Sequence, residues 1–242
     1  MINKRGQITI FIVIAIVVVV AIIGYFLLKG SSIETRVNPE VQPVYDYMAE
    51  CFQESLGESV VIIGIQGGYI TIPEDYITTD ISDIAYGYYL GSKTLPSKKV
   101  IEEEIGYYLE KKASTCADTA DISGFEIQGK GGAVADVDIS EEEIYATITY
   151  PLTINKGSSI YTLGSFSTDI SVNLGKIYIV ADEIVNKEIE DPENINLDYL
   201  KEQRYDIDVA MYSEDTIIYS ITDSDSKINN ISYMFRFANK LQ

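Results

Sequence analysis

The chain has 242 residues and a formal charge of −19, with 37 acidic residues against 18 basic ones and neither histidine nor tryptophan. A surface of that sign repels phosphate backbones and anionic lipid headgroups, which argues against nucleic-acid binding. The missing histidine removes Ser-His-Asp and Cys-His nucleophile activation together with the commonest zinc ligand.

The first predicted element is the uncharged run Ile8–Leu28, 21 residues long and mostly Ile and Val. As a helix it covers about 31 Å, the thickness of a hydrocarbon core. Lys4 and Arg5 precede it and only Lys29 follows closely. The positive-inside rule then places the N-terminus in the cytoplasm and residues 31–242 outside, a single pass through the cell membrane. The run exceeds the short apolar core of a secretory signal, and YFLLKGSS offers no convincing cut, so it reads as an anchor. Every acidic residue follows Gly30; with 15 basic against 37 acidic residues, 31–242 carries −22.

The junction Lys4-Arg5-Gly6-Gln7 resembles the class III signal peptide of archaeal type IV pilin-like proteins. That resemblance implies a basic leader, 1–6, cut between Gly6 and Gln7 on the cytoplasmic side, with the membrane helix 7–30 kept on the mature protein. It also implies a homo-oligomer built through that helix. Bacterial pilins carry Glu at the fifth residue after the cut; here Phe11 stands there. The phrases QGGYI, YPLTI and the closing SKI…FRFANK are similar to uncharacterised surface proteins of small-genome archaea.

Residues 31–42 read as a linker. A helix is predicted from Pro43, with Val44, Met48, Cys51 and Leu56 on one face and Gly57 as its stop. VVIIGIQ and YITI flank Gly67-Gly68, a hairpin signal. Residues 74–96 show no clean period and hold Tyr76, Tyr86, Tyr88 and Tyr89. Those tyrosines suit a contact surface, and they equally suit packing over a sheet edge. A second helix is predicted over Ser97–Ala113. Cys51 and Cys116 lie near the ends of the two helices. An even count outside the cytoplasm favours a disulfide, the alternative being two buried thiols.

From Phe125 the alternation predicts four strands in an antiparallel meander, with Pro151 at an edge or a bulge. Gly175–Glu190 returns to helical spacing, Asp191-Pro192 breaks it, and Leu197–Gln203 allows one or two more turns. Three strands close the chain, joined at Glu214-Asp215 and by a loop over Ser224–Asn229. The expected fold is α+β: an extracellular domain, 43–242, of antiparallel sheet with three or four helices, divisible into lobes 43–118 and 119–242.

Motifs for chemistry are sparse. Asp223-Ser224-Asp225-Ser226 begins like a calcium loop but lacks its glycine and terminal Glu. Gly129-Lys130-Gly131-Gly132 lacks the ending of a phosphate loop. Asn230-Ile231-Ser232 is the sole N-glycosylation acceptor. No catalytic, cofactor or metal residue is assigned. The sequence favours a membrane-anchored structural surface protein of pilin-like type; the alternative is an anchored ectodomain that binds an envelope or cell-surface partner without forming filaments. An anchored carboxylate hydrolase is a distant third.

Overall fold

The computed structural model describes residues 37–192 and 194–241. The leader, the predicted membrane helix and the first half of the linker lie outside the described residues. Among those described, no helix is long and apolar enough to cross a membrane.

A 3-10 turn, Pro39–Val41, leads into helix α1 (Gln42–Ile65), so the last residues of the predicted linker are already folded. Pro43 sits in the first turn, where its missing N–H costs nothing. Gly57 does not stop the helix, which runs through Val60, Val61, Ile62 and Ile63. These β-branched residues favour strands in isolation, but Val60 and Ile63 are fully buried alongside Met48, Phe52 and Leu56. Tertiary packing outweighs their propensity. The predicted hairpin is therefore absent. Gly67 and Gly68 have φ of 78° and 96°, and the Gly68 N–H donates to the Ile63 carbonyl at 2.8 Å, the long bond of a Schellman termination.

Six strands form the first sheet: β1 (Tyr76–Thr78), β2 (Asp83–Tyr89), β3 (Ser92–Lys93), β8 (Asp206–Met211), β9 (Thr216–Ile228) and β10 (Ile231–Lys240). Their order is β1-β2-β10-β9-β8, with β3 on β2. Ala238 pairs with Tyr86 in a parallel register, so this sheet is mixed and not antiparallel throughout as expected. A parallel pair needs a long crossover, and here most of the chain supplies it. Strands from both 43–118 and 119–242 share the sheet. β9 continues through the predicted loop; the turn is Asn229-Asn230, with φ of 52° and 66°.

Helix α2 (Lys98–Asp118) is capped by Ser97, whose hydroxyl accepts from the Val100 N–H, and it outlasts the predicted end at Ala113. The second sheet comprises β4 (Glu126–Gly129), β5 (Val134–Ile139), β6 (Glu143–Lys156) and β7 (Ser159–Ser171), all antiparallel. β5, β6 and β7 make the predicted meander, and β4 pairs with the later half of β6. Pro151 lies in a register break between Thr149 and Leu152; it marks a bulge in a central strand, not an edge. Ile144, Ala146, Ile148, Leu152 and Ile154 alternate inward and are buried, as the period-two pattern requires.

Helix α3 (Leu174–Glu190) packs on β2, β3 and β10, and short α4 (Leu197–Glu202) follows. α1 packs against α2, β7 and β10, touching both sheets. That position explains the burial of Leu56, Ser59, Val60, Ile63 and Gly64, while Glu54, Glu58 and Val61 stay exposed on the other face. Residues 39–242 thus form one compact α+β unit with mixed and antiparallel sheets and four helices.

Candidate functional site

Gly6 and Gln7, the predicted processing junction, lie outside the described residues. Of the other residues singled out from sequence, Cys51 and Cys116 are brought together. They form a disulfide with a Cα separation of 5.9 Å, tying α1 to α2. The tyrosines are not presented together on one contact surface. Tyr86 and Tyr88 lie in β2 at 9% and 2% exposure, while Tyr76 is 43% exposed. Tyr86 packs with Ile77, Ile84, Ile218 and Ala238, its ring 4.7 Å from that of Tyr89. These are core contacts, as expected of a strand buried on both faces. Asn230 is exposed in the β9–β10 turn.

Sequence reasoning passed over a buried polar cluster. Glu188, in the last turns of α3, is 4% exposed. The Tyr219 hydroxyl donates to its Oε1 at 2.9 Å, and the Asn239 amide donates to its Oε2. α3 is thereby fastened to β9 and β10. Burial pushes the Glu188 carboxyl above its ordinary value, against the opposing effect of these two bonds. Burial likewise raises the Tyr219 phenol, with the Glu188 carboxylate adding to the shift. Asn239 is fully buried, and its Oδ1 has no partner among the described residues.

A group whose folded pKa is raised contributes its full stability below the unfolded value, about 4.3 for Glu, and loses it as pH rises through the folded value. Glu188→Gln removes that titration. The glutamine can still accept from Tyr219, and its amide offers the donor that Asn239 Oδ1 lacks once the Asn239 amide turns over. The variant is therefore expected to match or exceed the wild type at pH 7, by up to about 1.5 kcal/mol, with the advantage vanishing near pH 4. Urea titrations at both pH values measure this, and a variant less stable at pH 7 than at pH 4 relative to wild type contradicts it.

Two further arrangements escaped sequence reading. Asp223 accepts from Asn173 Nδ2 and Ser226 Oγ, both at 2.6 Å, and from the Asp225 N–H at 3.0 Å. Burial acts to raise its carboxyl, but the three donors prevail and hold it below the usual range. The would-be calcium loop is thus a bonded segment of β9 anchoring the start of α3. On α2, Glu102 and Glu110 accept from the N–H groups of Ile139 at 3.2 Å and Ala135 at 3.1 Å. Gly106 stands between them, and a Cβ there would lie 3.3 Å from the Ala135 carbonyl. The eight steps from Glu102 to Glu110 rise about 12 Å along the helix and the four from Ala135 to Ile139 about 13 Å along the strand, so one helix face seals the outer edge of β5. The signal was present as E-x-x-x-G-x-x-x-E, but nothing in it names its partner strand.

Chemically these clusters bind backbone and each other. The cleft reaching Glu188 and Tyr219 has about 10 Å³ of free space, room for roughly one water. No group of three or more His, Cys, Asp or Glu residues that could hold a metal ion is present among the described residues. Comparison with family models, with curated proteins and with solved structures gives no match.

Proposed function

We propose that this chain is a membrane-anchored structural protein of the cell surface, a type IV pilin-like subunit carrying an acidic extracellular domain. The observation that carries the reading is the uncharged run 8–28 directly behind Lys4-Arg5-Gly6-Gln7. Cleavage after Gly6 removes the basic residues that hold the helix at the cytoplasmic face, and frees it to pack against copies of itself. The Cys51–Cys116 bridge supports an oxidising compartment for the domain. The chain enters the domain through Pro39–Val41 and passes at once into α1, so a load on the tether reaches first the helix that packs on both sheets.

Replacing Gly6 with leucine tests the reading, because a peptidase specific for a small residue before the cut cannot accept it. The variant is expected to accumulate at full length in the membrane fraction, while the wild type migrates as the form shortened by its leader. Equal migration of the two would overturn the proposal.

A further inference from the structure

Strand β7 ends the second sheet and, among the described strands, pairs with β6 alone. Its other side is marked by the Asp169 carbonyl, which accepts from Gln53 Nε2 of α1 at 2.8 Å. From Ser159 to Ser167 no further partner satisfies that side among the described residues. Unpaired strand edges template the addition of another strand, and folded proteins ordinarily block them with charge, brevity or a cover. The other edges here are blocked in those ways. β5 is sealed by Glu102 and Glu110, β8 carries Asp206 and Asp208, β4 is four residues long and carries Glu126, and β1 and β3 are three and two residues long.

α1 covers the inner face of β7, where Phe166 packs on Tyr45 and Phe52. Among the described residues, nothing blocks the hydrogen-bonding edge of its first nine residues. Between Lys156 and Asp169 lie twelve consecutive residues without a charge, and none is proline. Ile160 is 71% exposed, and Thr162, Gly164, Ser165 and Ser167 are exposed as well. The neutrality spreads onto the outer face of β6, where Thr147 pairs with Ser167, Thr149 with Ser165, and Thr153 with Thr162.

We infer that the free edge of β7 is a docking surface for the same strand of a second copy, giving an antiparallel, two-fold pair with one sheet continuous through both molecules. Charge selects this occupant. Two chains of −19 repel across most of their surfaces, and an uncharged edge lets them approach without setting like charges opposite each other. Exposed hydroxyls on the outer face continue the cross-strand ladder over the junction. This inference goes beyond the proposed function and does not depend on cleavage after Gly6.

The test uses the full chain in detergent solution, followed by light scattering and by amide hydrogen exchange. The wild type is expected to show the protein mass of two copies, halving on roughly hundredfold dilution. Peptides covering 159–167 should exchange more slowly in the associated form than in the diluted one. Ser165→Lys with Ser167→Lys should give a single-copy mass with an unchanged far-ultraviolet spectrum, whereas Thr149→Lys, one strand inward, should leave the pair intact. A wild type of single-copy mass overturns the inference. So does a two-copy mass that survives both edge lysines, which would place the contact elsewhere, for example in the N-terminal helix. Slow exchange at 159–167 without a doubled mass overturns it too, since the chain's own N-terminal segment would then occupy the edge.

Discussion

Gly64→Ala is expected to lower the unfolding free energy by about 3 kcal/mol, although alanine is the better helix former by nearly 1 kcal/mol. Gly64 lies in the last turn of α1, where the helix crosses β10. A Cβ added there would overlap the Met234 carbonyl and lie 3.0 Å from the Tyr233 ring. The obstacle is backbone in a paired strand, and it cannot swing aside as the end of a flexible side chain would. Gly57 provides the comparison within the same helix. A Cβ there meets only Ile228 and Ile170, at 3.7 and 3.9 Å, ordinary contact distances. Gly57→Ala is accordingly expected to gain up to about 1 kcal/mol. Urea denaturation of the pair measures both, and equal effects of the same sign would show that the crossing is not as close as described.

Loss of the Cys51–Cys116 bridge carries the largest cost. The two residues are 65 apart in sequence, and closing a loop of that length restricts the unfolded chain by about 4 kcal/mol in the chain-entropy description. Native packing does not replace that restriction, because α1 and α2 remain in contact whether or not the sulfurs are joined. Changing both cysteines to alanine should lower stability by roughly that amount, and reductant should bring the wild type down to the same level. A wild type indifferent to reductant under conditions where its thiols become titratable would contradict the expected role of the bridge.

What the sequence made legible was the local pattern. The strands β4 to β7 were read nearly to the residue, because one buried face gives strict alternation, as Ile144 to Ile154 display. α3 and the start of α2 were equally clear from apolar spacing and from Ser97. The reading failed wherever a partner distant in sequence decided the outcome. Val60 to Ile63 carry strand propensity and form helix because Val60 and Ile63 are buried in the packed core. Gly67-Gly68 suits a hairpin turn and a helix termination alike, and the carbonyl of Ile63 decides between them. The parallel pairing of β2 with β10 joins segments about 150 residues apart, which no local pattern encodes. Tyr86 and Tyr88 showed the same ambiguity, since an aromatic cluster looks alike in a core and on a contact surface.

The site residues divide in the same way. The cysteine pairing followed from count and compartment alone. Glu188 looked like an ordinary polar position and Asp223 like the start of an incomplete calcium loop, because a buried carboxylate is recognised by its donors, and Tyr219, Asn239 and Asn173 come from other elements. Glu102 and Glu110 look like ordinary helix-surface acids, while their use is to satisfy the edge of β5. Acidic residues are thus partly structural here, and composition alone read them only as surface charge.

The first residue of the mature protein tests the central claim most directly. Protein extracted from membranes and mapped by N-terminal peptide mass spectrometry is expected to begin at Gln7, with the apolar segment 8–28 retained. A membrane-bound protein that still begins at Met1 would contradict the pilin-like account.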